Sequence, residues 1–156
     1  MKERLVFISF EKSGNKYEAS FPMEELISNE KDIEGLAKGA AEIYRNAIHR
    51  MLLIIREMNN QRVERKPVSA RVVWQLGDSI FKLTRDLEKI SFQLDGLYEH
   101  LARDLTVKRK WLEKVIILRR YIPEISLIPE YLNWGRCEKG TRKVAEKISR
   151  GLPLDE

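Results

Sequence analysis

The start of the chain has a strand-like alternation, which places Leu5 and Phe7 on one side and Val6, Ile8 and Phe10 on the other, and then repeats with Tyr17, Ala19 and Phe21. This alternation is typical of β-strands. Gly14 and Asn15 lie between the two runs and readily reach left-handed backbone angles, so the segment predicts a β-hairpin that turns there. Because an isolated two-stranded hairpin is only marginally stable, we expect it to lie on helices or to pair with a second chain.

The spacing becomes helical from about Asp32 to Gln61. Its apolar residues follow a regular 4,3,4,3 rhythm, at Ile33, Ala37, Ala40, Tyr44, Ala47, Met51, Ile54 and Met58. Such a rhythm forms the a/d seam of heptad repeats. Four more apolar residues widen the stripe, namely Ile43, Ile48, Leu52 and Ile55. The pattern predicts a long helix that buries a broad face against a partner.

A second heptad series begins after Pro67, which interrupts the first helix, and Ser69, which can cap the next one. Its members are Val73, Leu76, Ile80, Leu83, Leu87, Ile90 and Leu94, and Asp95-Gly96 ends or bends it. Two long helices joined by a short basic connection predict either an antiparallel hairpin or coiled-coil arms that pair between subunits. The sequence leaves both arrangements open.

Shorter helical segments fill the remainder of the chain. We expect helices over 97–105 and over 108–122, a brief segment after Pro129, and a last helix over 141–150 stopped by Gly151. The predicted fold class is mostly α, with an N-terminal β-hairpin, a long helical hairpin or coiled-coil arms, and a C-terminal helix-turn-helix bundle. We divide the chain into residues 1–66, the hairpin plus the long amphipathic helix, and residues 67–156, the helical domain with the helix-turn-helix.

The stretch LARDLTVKRKWLEKVI, residues 101–116, fits the pattern of a helix-turn-helix unit. Two short helices would be joined by a turn, and the residues expected to face the core are Leu101, Ala102, Leu105, Val107, Leu112 and Val115. Two positions depart from the usual pattern. Thr106 stands where glycine is common, because the backbone there tends towards positive φ. Lys108 stands at the N-cap in place of Ser, Thr or Asp.

Positive charge is concentrated in this later part of the chain. The net charge is +5, yet residues 1–60 hold 9 basic and 10 acidic side chains, so the basic excess lies wholly beyond them. The second helix of the unit carries Lys108, Arg109, Lys110, Lys114, Arg119 and Arg120, offset by Glu113. Four further cations follow near the last helix, Arg136, Lys139, Arg142 and Lys143.

A helix that displays several cations on one face can neutralise phosphates and release their counterions. Arg109 or Lys110 would then reach guanine edges in the major groove, so the ten cations above are the candidate DNA-binding residues. The competing interpretation is that these charges only solvate an ordinary helix. Trp111, which lies among them, is more typical of a core position than of base stacking.

Three segments carry a family resemblance: Val73-Trp74-Gln75-Leu76-Gly77-Asp78, the run Leu101-Ala102-Arg103-Asp104-Leu105, and the basic helix ending in Leu118-Arg119-Arg120-Tyr121-Ile122-Pro123. Together they resemble the helical N-terminal domain found ahead of some PD-(D/E)XK-type nucleases. The resemblance covers about half the chain and implies a DNA-binding module. The nuclease half has no counterpart here, so no catalytic function is carried over.

No motif indicates an enzyme, a cofactor or a small-molecule substrate. His49 and His100 have no partner at metal-ligand spacing, and no glycine-rich phosphate loop occurs. Glu64-Arg65-Lys66 is more typical of a solvated helix end than of a nuclease E-x-K. We therefore expect a non-enzymatic protein without metal or cofactor.

The location follows from similar reasoning. The single Cys137 excludes an internal disulfide and fits a reducing compartment. The sequence contains no apolar run long enough to cross a membrane and no signal peptide, so we expect a cytoplasmic protein without membrane contact.

The segment from Leu132 to Gly140 concentrates Trp134, two glycines and Cys137. It would be either a winglike loop that places Arg136 and Lys139 on a phosphate backbone, or a core plug formed by Trp134 between two helices, and we favour the plug.

We weigh two main functions. The first is a homodimeric protein that binds double-stranded DNA, with paired basic helices reading two half-sites. The alternative is a helical assembly or adaptor protein that binds a protein partner through its heptad helices. RNA binding is a third possibility, less favoured because no strand surface rich in aromatic residues is evident.

Overall fold

A computed structural model gives the structure of the protein and describes residues 5–12, 15–22, 33–90, 93–94 and 96–154. Helices dominate the described residues, which confirms the prediction of a mostly α fold. The α-helices are α1 (Ile33–Val63), α2 (Ala70–Lys89), α3 (Leu97–Leu105), α4 (Arg109–Tyr121), α5 (Trp134–Glu138) and α6 (Thr141–Ser149). A short 3-10 helix, Ile125–Leu127, lies between α4 and α5.

Three strands pair in the order β1-β2-β3: β1 (Leu5–Lys12), β2 (Asn15–Pro22) and β3 (Gln93–Leu94). β1 and β2 are antiparallel, and Lys12 pairs with Asn15. Asn15 therefore belongs to a strand and not to the turn, and the predicted turn residue Gly14 lies outside the described residues. β1 lies beside α1, on the helical part of the molecule.

Leu94 corrects the predicted second heptad series. α2 ends at Lys89, and Leu94 pairs with Ala19 in the sheet instead of continuing the helix. The start of α2 is as predicted, because the Ser69 side chain accepts a hydrogen bond from the backbone N–H of Arg71 at 3.2 Å.

α1 and α2 pack on each other within the chain, joined by the short segment 64–69. The structure thus forms the hairpin that the sequence left open. Most of the seam is buried, including Tyr44 and Met51 of α1 and Leu76 and Leu83 of α2. Leu52 was expected to widen the buried stripe, but it is 44% exposed. It lies about 100° around the helix from Met51, which turns it away from α2.

One apolar core extends from Ala40 in α1 to Ile148 in α6, so both halves of the chain contribute to it. α2 has a central position because it contacts α1, α4 and α5. Among the described residues, no helix combines the length and the apolar character needed to cross a bilayer.

The crossing of α2 and α4 is very close. A Cβ atom on Gly77 would lie 2.7 Å from Cβ of Arg119 and 2.9 Å from the carbonyl oxygen of Val115. Arg119 is held there by three groups of α2: its Nε donates to Asp78 at 2.9 Å, and its Cζ lies 4.9 Å from the ring centroids of both Trp74 and Phe81. The contact sets how α4 is rotated about its own axis.

We expect Gly77→Ala to destabilise the protein by about 2 kcal/mol, because the added methyl group must push α4 away from α2. The measurement is the free energy of unfolding from urea titration followed by circular dichroism. Gly39→Ala is the matched control, since a Cβ there meets nothing within 4 Å. That change should stabilise α1 by up to about 1 kcal/mol, and equal effects of the two substitutions would contradict the close crossing.

Candidate nucleic-acid interface

The chain bends between α3 and α4. α3 ends at Leu105, and Thr106 takes the left-handed conformation with φ 57° and ψ 50°. The backbone N–H of Val107 donates to the carbonyl oxygen of Ala102 at 2.9 Å, which satisfies one of the last carbonyls of α3. Lys108 is then the N-cap residue of α4, in extended conformation. Residues 101–122 therefore form two helices joined by a short turn.

The apolar side of this unit faces the core as the sequence pattern predicted. Leu101, Leu105, Leu112 and Val115 are buried, with at most 3% of their surface exposed. Ala102 and Val107 are half-buried and pack against the same core. Thr106 stands where glycine is common in such a turn. It adopts the left-handed backbone conformation, which is strained for a residue with a β-carbon, and its side chain is exposed.

A hydrogen bond ties the first helix of the unit to α1. The buried Tyr44 hydroxyl donates to Oδ2 of Asp104 at 2.6 Å. Burial raises the pKa of Tyr44 well above its usual value, an effect that the positive charge of Arg103 partly offsets. The tyrosine therefore stays protonated, and the bond anchors α3 on α1.

The cations of α4 divide into two groups, and the first is bound to carboxylates. Arg109 forms an exposed ion pair with Glu99 and a second with Glu113 at 3.5 Å. Arg119, held against Asp78, has only 18% of its side chain exposed. These two predicted DNA-binding residues therefore both pair with carboxylates of the protein. Arg119 is largely buried in its contact, whereas the ion pairs of Arg109 are exposed and contribute little energy.

The second group is exposed and has no ion pair with any residue that the structure describes. It comprises Lys108, Lys110, Lys114 and Arg120. Lys110 and Lys114 are four residues apart and lie on one face of α4. Arg120 is six residues beyond Lys114 and lies about 120° around the helix from it, near one edge of the exposed side. α4 thus presents a positive stripe on its exposed side, with Lys110 and Lys114 opposite the buried residues and Arg120 near one edge.

α6 packs against α4 and adds cations beside the end of this stripe. Cζ of Arg142 lies 5.5 Å from the ring centroid of Tyr121, and its Nε pairs with Glu146 at 3.3 Å. Lys143 follows on the same helix and is exposed. We define the basic face as Lys110, Lys114 and Arg120 of α4 with Arg142 and Lys143 of α6.

The other two predicted residues lie in or beside α5. Arg136 donates to the carbonyl oxygen of Leu154, which holds the end of the chain, and Lys139 is exposed beside α6. Trp134 is 2% exposed and meets Trp111 edge to face, with ring centroids 6.3 Å apart. The interpretation of Trp134 as a core plug agrees with this burial, and Trp111 is half-buried beside it.

Cys137 is fully buried, and its thiol donates to the carbonyl oxygen of Asn133 at 3.7 Å. Burial raises the pKa of the thiol to about 11, an effect that the nearby charge of Arg136 partly offsets. At neutral pH it is therefore a protonated packing residue and not a nucleophile. In the part of the chain that the structure describes, no three His, Cys, Asp or Glu side chains are placed to hold a metal ion.

Comparisons with known protein families, with curated proteins and with solved structures give no match to this chain. The resemblance to the domain that precedes PD-(D/E)XK-type nucleases therefore stays a prediction. The carboxylate partners of Arg109 and Arg119 escaped the sequence analysis. Asp78 is 41 residues from Arg119 and Glu99 is 10 residues from Arg109, so no local spacing signals these two pairs; Glu113, four residues from Arg109, is the one partner that lies at helical spacing.

We expect Thr106→Gly to stabilise the protein by about 1 kcal/mol, because glycine adopts the left-handed conformation without the clash that a β-branched side chain suffers. The free energy of unfolding in urea is the measurement. Thr84→Gly, within α2, is the opposite control and should destabilise by about 0.5 kcal/mol. A loss of stability in Thr106→Gly would show that the hydroxyl or methyl group supports the turn.

Proposed function

We propose that the protein binds double-stranded DNA through the basic face, as a transcriptional regulator or as the DNA-binding subunit of a larger system, and without enzymatic activity. The observation that carries this proposal is the exposed positive stripe of α4, whose lysines and Arg120 pair with no carboxylate among the described residues. It exists because the chain bends at Thr106 and because the rotation of α4 turns Arg119 inward and leaves Lys110, Lys114 and Arg120 outside.

The dimensions of the stripe suit a nucleic-acid backbone. Lys110 and Arg120 are ten residues apart, which is about 15 Å along a helix axis. About four base pairs of B-DNA cover the same length. Arg142 and Lys143 broaden the positive surface beside the end of α4, so several phosphates would be in reach at once.

The engaged arginines favour binding to phosphates over reading of bases. Arg109, one of the two side chains expected at guanine edges, lies beside Glu99 and Glu113, whose two negative charges offset its own and would face a phosphate backbone with it. Lys110 in the first turn of α4 is the remaining candidate, and a single lysine discriminates weakly between bases. We therefore propose binding that depends mainly on charge, with little sequence preference.

The surface suggested for the adaptor function, the apolar seams of the heptad helices, is not available to a partner. That function required partner binding through the heptad helices, and the seam residues of α1 and α2 are largely buried against each other. A protein partner would need another surface of the molecule.

We expect micromolar or tighter binding to a 20-base-pair duplex at low salt, lost steeply as salt rises. The triple variant Lys110→Glu, Lys114→Glu, Arg120→Glu should abolish it, because each reversal removes a phosphate contact. In the single variant Lys114→Ala, the slope of log K against log salt should fall by about 1. Fluorescence anisotropy across a salt series measures both effects.

The matched control reverses three exposed arginines elsewhere, Arg50→Glu, Arg56→Glu and Arg85→Glu. It changes the net charge by the same amount but leaves the basic face intact. Equal losses in the two triple variants would mean that binding follows net charge alone, which contradicts the assignment of the face.

The proposal extends to a homodimer, since symmetric pairing doubles the number of phosphate contacts. Leu52 and Leu53 support it, being 44% and 50% exposed side by side on α1. Light scattering on the native protein should give twice the chain mass, and the double variant Leu52→Glu, Leu53→Glu should give the chain mass. A native protein that scatters as one chain would remove the dimer from the proposal.

A further inference from the structure

A groove of about 880 Å³ lies between the last turns of α1 and the α3–α4 turn. Its floor is apolar and includes the buried Met58, the half-buried Ile55 of α1, Val107 of the turn and Trp111 of α4. Water in such a groove gains few hydrogen bonds from the protein, so its replacement by an apolar ligand is favourable.

The rim of the groove is positive. Among the residues that the structure describes, the charged side chains that line it are Arg62, Arg103 and Lys108, and none is a carboxylate. Nη1 of Arg62 donates to Oδ1 of Asn59 at 3.2 Å, and Nη2 of Arg103 lies 2.9 Å from Nδ1 of His100. The first turn of α4 contains no acidic residue, and the helix dipole adds to this potential.

We propose that this groove docks an acidic amphipathic helix of a partner protein. The apolar side of that helix would cover Met58 and Trp111, and its aspartates or glutamates would meet Arg62 and Lys108. This arrangement is the helix-in-groove mode of peptide recognition, with carboxylates supplying the electrostatic complementarity.

Nucleic acid fits the groove less well, because an apolar floor contributes nothing to binding of phosphates. The docking surface is also separate from the basic face. Lys110, Lys114 and Arg120 do not line the groove, so a partner helix and DNA can bind the same chain. The inference therefore stands whether or not the protein binds DNA.

The test begins with selection of random 16-residue peptides displayed on phage against the purified full chain. The enriched peptides should combine apolar residues at helical spacing with several aspartates or glutamates. The most enriched peptide is then synthesised and titrated into the protein, with tryptophan fluorescence and calorimetry as the readouts. Selection of no peptide, or of peptides without acidic residues, overturns the proposal.

Variants of the rim and the floor locate the binding site. Arg62→Glu should weaken the selected peptide by about tenfold, while Arg50→Glu, an equal charge change on α1 outside the groove, should leave it unchanged. Ala102→Trp should block binding by filling the groove, with circular dichroism to check the fold. If Ala102→Trp fails to fold, Arg62→Glu still tests the site, because Arg62 is exposed and its replacement does not disturb the core. Equal affinity for Arg62→Glu and Arg50→Glu overturns the proposal.

The remaining outcomes identify other occupants. Loss of self-association in Arg62→Glu, by light scattering, would assign the groove to a second copy of this chain and overturn the partner helix. If Arg62→Glu loses duplex binding as well as peptide binding, the groove is assigned to DNA and the proposal of a partner helix is overturned. The triple variant of the basic face should still bind the peptide, which separates a failure of this inference from a failure of the DNA proposal.

Discussion

The arrangement of the molecule depends on the contact between α2 and α4 at Gly77. The missing side chain lets Arg119 and the backbone of Val115 approach α2 more closely than any other residue would allow. Arg119 then fills the space between Trp74 and Phe81 and pairs with Asp78. A cation held in this way determines the rotation of α4, and that rotation decides which of the neighbouring basic residues face solvent.

A second constraint acts at the other end of α4. The left-handed Thr106 ends α3 and redirects the chain, and the Tyr44–Asp104 hydrogen bond keeps α3 on α1. The turn therefore projects beside the last turns of α1 instead of packing flat on them. This geometry accounts for two features at once, the outward stripe of α4 and the apolar groove behind its first turn.

The two surfaces have different chemistry although both are positive. The basic face consists of exposed cations, which suits a polyanion whose phosphates remain partly hydrated. The groove surrounds an apolar floor with cations, which suits a ligand that is apolar on one side and acidic at its edges. A single chain would then join a nucleic acid to a protein partner, with α4 contributing to both surfaces.

The sequence by itself determined the helices and several of their ends, because apolar periodicity, the Ser69 cap and the glycine and proline stops act over a few residues. It also indicated the buried side of residues 101–115 and a left-handed position at Thr106. Tertiary structure alone decided that α1 and α2 pair within the chain, that Leu94 joins a strand, that Leu52 faces outward, that Arg119 pairs with Asp78 and that Arg109 pairs with Glu99. Those outcomes depend on residues distant in the chain, and the packing of whole helices brings them together.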